Sequence, residues 1–470
     1  MKRIIFYVIL LGSLCASCNP FNNQISQHDE GNPGIQIPEE LEEEPTGYYI
    51  LGSLPEHDIE LCPNEKFQLI TDKTVYQAPP ISEPEPRKPF RDPVFGTCII
   101  RVTDRNHDIL DPSDDSSGMK NEYSRVQSFN ADESLLLVRS TESFWYVYDV
   151  ASFLPLGQVP AVVEPRWDTQ DPYLLYYFED TQLKSYDLSN GRIAQIREFA
   201  DDVSDEDVVA VWTRYEGSPS FDTRYWGLMA QNSGWELIEF LIYDIEEDTV
   251  VIREMHPGYS VDHVTMSPLG NYFLASFDHY CERGVLGSDA NPCGLMIYNR
   301  NLEKGRGLLR IIGHYDTGLD AAGREVIVYQ DIDTDHISML DLVTGMITPL
   351  VPIDFSHTSI GFHFSGRAFN SPGWALVSTY NGGHPQDVTW MDDSIFALEL
   401  KANGRVIRLA HTQSVYDESV EKDYWAEPHA SVNRDFTRII FTSNWGRTGT
   451  EEVDLYMIIL PEDWVTLLDN

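Results

Sequence analysis

Beyond residue 93 the chain alternates polar turns with short apolar runs, and one unit recurs seven times. Each turn is rich in Asp, Asn, Gly, Pro or Ser, and a run with strand character follows it at once. Phe129 to Ser134 precedes Leu135 to Val138, Trp167 to Pro172 precedes Leu174 to Tyr177, and Phe221 to Gly227 precedes Leu228 and Met229. Met266 to Asn271 then precedes Phe273 to Ala275, and Leu319 to Glu325 precedes Val326 to Val328. Phe369 to Trp374 precedes Leu376 and Val377, and Val432 to Arg438 precedes Ile439 to Phe441. A further apolar run follows in every unit, as in Tyr146-Val-Tyr-Asp-Val, Leu241-Ile-Tyr-Asp-Ile and Met296-Ile-Tyr-Asn. In several of these runs an Asp or Asn is placed to cap the turn into an outer strand.

The turn anchors are spaced by 38, 54, 45, 53, 50 and 63 residues. That is the length of a four-stranded propeller blade with loop insertions. The pattern predicts an all-β, seven-bladed β-propeller over residues 94–470. The seventh unit ends near Pro461 with too little chain for an outer strand, whereas residues 96–104 form an apolar strand ahead of the first unit. This N-terminal strand is expected to complete the last blade and close the ring, leaving few exposed edges. With no sustained 3.6-residue periodicity, helices should be few. The repeat resembles the extracytoplasmic propellers of the WD40-like and TolB-like class, whose turn usually reads Ser-Pro-Asp-Gly. Ser267-Pro268-Leu269-Gly270 comes nearest.

The first residues have a different character. Lys2 and Arg3 precede the apolar run Ile4 to Leu14 and then Cys15-Ala16-Ser17-Cys18. The run is shorter than the roughly 20 residues that span a bilayer, so it reads as an export signal. It resembles a bacterial lipoprotein signal, residues 1–17, which implies Cys18 as the lipidated N-terminus; an ordinary secretory signal is the alternative. Either form predicts an envelope location, and a lipid anchor implies one bound to a membrane, expected to be the outer membrane. Residues 18–93 are acidic and Pro-rich, with Glu42, Glu43 and Glu44 in one run and six prolines between Pro79 and Pro93. Such a composition predicts a semi-extended stalk, parts of which could dock on the body. In an oxidising compartment Cys281 and Cys293, which bracket a Gly/Pro/Asn loop, are expected to pair as a disulfide, and Cys62 with Cys98 as a second one.

Charge narrows the function. The chain has 33 Lys plus Arg against 75 Asp plus Glu, a formal net charge of −42, which excludes a nucleic-acid binder that works by neutralising phosphates. Hydrophobic residues make up 42%, enough for a large core, and a monomer is expected. The innermost strand of each blade starts at the rim of the central channel, so the segments just before the turns should converge there. These segments bring His263, His314, His363 and His429 from successive blades to face Arg125 and Arg166. Imidazole accepts a proton near neutral pH, and its neutral form ligates divalent metals.

The arrangement resembles that of propeller-type polysaccharide lyases, notably the oligogalacturonate lyases, which carry histidines at the channel mouth. The resemblance implies an acidic, uronate-containing glycan as substrate and a divalent metal at His363 and His429. Elimination from a uronate also needs a cation for the sugar carboxylate, a base for the C5 proton and an acid for the leaving oxygen. On this reading Arg125 and Arg166 take the carboxylate, His263 or His314 is the base, and Tyr123 or Tyr315 the acid. Trp390, Tyr424 and Trp425 are candidates for stacking on sugar rings. His384 and His411 are expected on surface loops, and Asp331, Asp333 and Asp335 in a solvated hairpin. The alternative function is a non-catalytic propeller that scaffolds an envelope protein complex or captures a ligand, in which the histidines would only knit blades together.

Overall fold

Why the apolar runs stack as blades is visible in how their side chains alternate. Within the strand Leu135–Ser140, Leu135 and Leu137 enter one apolar cluster with Trp167, Leu175 and Tyr177. Leu136 and Val138 enter another with Ile440, Leu455 and Met457. A period of two thus splits each strand between the blades on either side, and both faces of the sheet are buried. The same division recurs in Glu325–Asp331, where Val326 and Val328 pack against Phe362 and Phe364 while Ile327 and Tyr329 pack against Leu295 and Ile297.

The computed structural model describes residues 59–63, 69–356, 358–381, 388–417 and 419–469. The signal, Cys18, most of the acidic part of the stalk and His384 lie outside them. Among the described residues there are seven antiparallel sheets, six of four strands and one of five, which is the expected seven-bladed propeller. Blades 1 to 6 run over residues 119–159, 163–198, 208–254, 261–309, 315–352 and 360–411. Blade 7 takes Ser431–Val432, Arg438–Ser443 and Asp454–Ile459 from the C-terminal end. Cys98–Arg101 pairs antiparallel with the last of these, Ile99 opposite Ile458, and closes the ring as expected. Among the described residues helix is confined to the short 3-10 turns Glu421–Ala426 and Thr466–Asp469, and none is long and apolar enough to cross a membrane.

Both expected disulfides are present, Cys281–Cys293 and Cys62–Cys98. The second ties residues 59–63 to the closing strand. Phe90–Arg91 adds a fifth strand to blade 7, on the stalk side of the boundary drawn at residue 93. Residues 69–93 run against the propeller. Ile70 bridges to Arg408, Trp445 Nε1 donates to the Ile81 carbonyl, and Glu83 accepts from Arg105 and Arg447. This strap corrects one expectation. His411 is no surface loop group; it ends the outer strand Val406–His411 of blade 6, buried with its Nε2 on the Tyr76 carbonyl. Every residue of that strand is buried, and His411 at its end lies on the sheet edge that the strap covers.

Candidate functional site

The channel mouth is built by the first residues of the inner strands and by the segments that enter them from the preceding blade. His363 lies in Ile360–Ser365, the inner strand of blade 6, and Glu427-Pro428-His429 leads into blade 7. His429 has φ +41°, a left-handed conformation that a residue with a Cβ adopts only where its surroundings hold it. That backbone turn brings Glu427 and His429 back toward His363. His363 Nε2 lies 2.8 Å from Glu427 Oε2, and the rings of His363 and His429 are 4.3 Å apart. One nitrogen or oxygen from each of the three residues falls within 4.8 Å of the others. The His314 ring lies 4.8 Å from that of His363, with its Nδ1 3.2 Å from the Tyr123 hydroxyl.

The group is buried and incompletely satisfied. His363 Nδ1, both ring nitrogens of His429 and Glu427 Oε1 are buried without a hydrogen-bond partner. Burial holds His314, His363 and His429 well below the usual imidazole range, so all three rings are neutral with lone pairs available. Burial also pushes the Glu427 carboxyl up to about 8, against the opposing pull of a Tyr380 hydrogen bond and the Lys120 charge. Neutral imidazoles and one carboxyl, with four lone-pair or donor positions unspent, form the donor set of a divalent metal site. The residues present fit such an ion.

A second acid and histidine cluster faces it across Tyr123 and Arg125. Asp262 Oδ2 lies 3.1 Å from His263 Nδ1. Donation from Nδ1 leaves Nε2 as the acceptor, and Nε2 meets Arg125 Nη1 at 2.6 Å and the Tyr315 hydroxyl at 2.9 Å. Burial would raise the Asp262 carboxyl, but the His263 hydrogen bond and the charges of Arg125 and Arg214 hold it below the usual range. Glu216 pairs with Arg125 Nη1 at 2.9 Å, while burial raises its own pKa. The Arg125 guanidinium also lies over the Tyr315 ring, 4.5 Å from its centroid. Burial raises the hydroxyls of Tyr123 and Tyr315 above the usual phenol range, so both keep their protons.

Of the residues singled out from sequence, Tyr123, Arg125, His263, His314, Tyr315, His363 and His429 come together here. Arg166 is placed differently. Its Nε and Nη2 donate to the Gly217 carbonyl, Nη2 also to Tyr215, and Nη1 to the Pro165 carbonyl and, at 2.6 Å, to Glu122. This guanidinium joins blades 1, 2 and 3 and has its donors committed to the protein. Trp390 packs on Phe396 with Arg408 and Lys73 over its ring, whereas Tyr424 lies 5.8 Å from His429 and Trp425 beside it. Sequence reasoning passed over Glu427. Its place two residues before His429 in Glu-Pro-His carried no signal of this, because the left-handed turn at His429 is what brings the pair together.

No family profile matches the sequence, and no curated protein matches it. Solved structures share the fold. An oligogalacturonate lyase in complex with manganese superposes with a TM-score of 0.55 at 14% identity, over 87% of this chain and 99% of that one. An oligogalacturonate lyase from Vibrio parahaemolyticus superposes with a TM-score of 0.54 at 13% identity, over 80% of this chain and 97% of that one. The fold is therefore that of a seven-bladed propeller similar to these lyases.

Proposed function

We propose that this protein is a metal-dependent lyase that cleaves uronate-containing glycans by β-elimination at the channel mouth. The observation that carries this reading is the buried His363, Glu427 and His429 group with its unsatisfied ligand atoms. The fold shared with manganese-bound oligogalacturonate lyase supports it. His363, Glu427 and His429 would hold the ion, and His314, assigned from sequence as a possible base, stands beside them with its Nδ1 on the Tyr123 hydroxyl. A divalent ion there supplies positive charge to a substrate carboxylate and so acidifies the adjacent C–H.

The chain's own residues supply the proton transfers. Arg125 is the cation placed to draw the sugar carboxylate, with hydrogen bonds to protein that run through Nη1. As it turns toward the substrate it uncovers His263 Nε2, which the Asp262 contact keeps in the basic tautomer. The C5–H bond breaks toward that nitrogen, the C4–C5 double bond forms, and the C4–O bond breaks. The leaving oxygen takes the proton of Tyr315, which recovers one from the imidazolium through the 2.9 Å contact with Nε2. The two disulfides support export to an oxidising compartment, where Cys18 would carry the lipid anchor.

The test is metal content of the purified body followed by absorbance at 235 nm with uronate polymers, because elimination creates an unsaturated uronate. Stoichiometric metal and rising absorbance are expected. No metal and flat traces on all uronates would favour the non-catalytic scaffold.

A further inference from the structure

A protein with a net charge of −42 does not lack carboxylates, so a buried cation without one is informative. Lys120 and Arg139 are such a pair. They are opposed residues of the strands Met119–Lys120 and Leu135–Ser140 in blade 1, so their side chains are neighbours on one face. Lys120 is 2% exposed, and its ammonium donates to the Glu122 carbonyl at 2.9 Å. Arg139 donates through Nη2 to Ser143, while its Nε is buried with no hydrogen-bond partner. Trp145, opposite Arg139, also has a buried Nε1–H without a partner. Among the described residues neither cation makes an ion pair.

The nearest acids are committed elsewhere. Glu122 is held by Arg166, Glu427 belongs to the histidine group, and Glu142 is exposed on the hairpin beyond Arg139. What the two cations share is Trp425, with Lys120 Nζ 5.5 Å and Arg139 Cζ 5.8 Å from its ring centroid. An indole face compensates a buried cation only in part. Burial lowers both from their ordinary values, and with the added repulsion of Arg139 it takes Lys120 to about 7. Two desolvated like charges over one ring cost stability, which one hydrogen bond each, to the Glu122 carbonyl and to Ser143, offsets only in part. The pair also adjoins the histidine group. Asn121, next to Lys120, donates to the His429 carbonyl at 2.6 Å, and the Lys120 charge acts on His363, Glu427 and His429.

We propose that Lys120 and Arg139 form an anion subsite beside Trp425 that takes the carboxylate of a second uronate, adjacent in the chain to the residue held at the histidine group. This rests on the lyase reading for the first sugar and deepens it. The substrate is then a run of consecutive uronates, and an isolated uronate in a neutral glycan would lack the second anchor. The planar guanidinium offers a carboxylate two parallel N–H donors, including the unsatisfied Nε, and the ammonium supplies a point charge from the side.

The test titrates galacturonate and trigalacturonate into wild-type protein and into Lys120→Met and Arg139→Gln, following Trp fluorescence and heat, with metal present and after chelation. Trigalacturonate should bind wild type at least tenfold more tightly than the monomer, and either variant should lose most of that advantage while retaining its metal. Lys120→Met should also melt higher than wild type, because it relieves a buried like-charge contact; a purely structural lysine would give the opposite shift. Equal trimer affinity in folded variants, or no trimer advantage in wild type, overturns the subsite. Flat 235 nm traces together with Lys120-dependent trimer binding would leave the subsite standing and remove the lyase reading. Rising traces with unchanged KM in both variants would do the reverse.

Discussion

The channel mouth holds two clusters of the same residue types, His363 with Glu427 and His429, and His263 with Glu216 and Asp262. Their electrostatics are opposed. The second has a guanidinium at its centre, with Arg125 against both Glu216 and His263, and its carboxylate Asp262 is held in the charged form. Among the described residues no arginine hydrogen-bonds to or pairs with the first, which Arg125 and Lys120 reach only through their charge. Its carboxyl is pushed up to about 8, and His363 Nδ1 and both His429 ring nitrogens stand unsatisfied. A guanidinium bonded into a cluster repels a metal ion and orients a base; ring nitrogens and a carboxyl oxygen left without any donor await an ion. Acid and histidine proximity alone therefore does not identify a metal site. The neighbouring charge decides.

The largest effect should come from removing the first cluster's ligands. His363→Ala with His429→Ala is expected to abolish stoichiometric metal and all lyase turnover, as measured by metal analysis and 235 nm absorbance. If the metal stays, the two clusters have been assigned the wrong way round. Next, Asp262→Asn should leave metal content unchanged and lower kcat by about 10²–10⁴, the scale for losing an oriented general base. Loss of metal from that variant would instead merge the clusters into one site.

A third substitution separates catalysis from architecture. Arg166→Met removes the guanidinium that spans three blades and leaves the Glu122 carboxyl buried alone. Breaking such a pair costs roughly 3–5 kcal/mol. Denaturant unfolding should show this loss, with turnover of the remaining folded protein little changed. Full stability with a raised KM would return Arg166 to the role of carboxylate binder.

How much of this could be seen in the sequence follows from range. The blades were legible because period-two alternation and turn chemistry are local, and even the closing strand at 98–101 followed from a missing outer strand at the C-terminus. The gathering of four histidines followed from the repeat, since equivalent positions in successive blades must converge on one channel. Partnership was not legible. Whether Arg125 or Arg166 keeps a donor for substrate depends on carbonyls about 50 residues away, such as that of Gly217. Glu427 acquires meaning only through the left-handed backbone at His429. His411 was misplaced because nothing near it in sequence reveals that residues 69–93 cover its sheet edge.

The smallest expected effect is also the most direct measure of the difference between the clusters. Burial raises the Glu427 carboxyl from an ordinary 4.5 to about 8 without metal, so between these values the folded protein binds a proton that the unfolded chain has released. Stability from this group is fully present below about pH 4.5 and is lost as pH rises toward 8, up to a few kcal/mol. Glu427→Gln, which cannot ionise, removes that slope, so metal-free wild type and variant should diverge steadily in unfolding free energy from pH 5 to 8. A divalent ion requires the carboxylate, so binding at pH 6–7 should release close to one proton per metal from wild type and none from the variant. Calorimetry in buffers of different ionisation enthalpy reads this directly. Asp262, held ionised by His263 and Arg125, should release none. A metal-free wild type that shows no slope, and binds metal without proton release, would mean that Glu427 is already charged, and the opposition drawn between the two clusters would collapse.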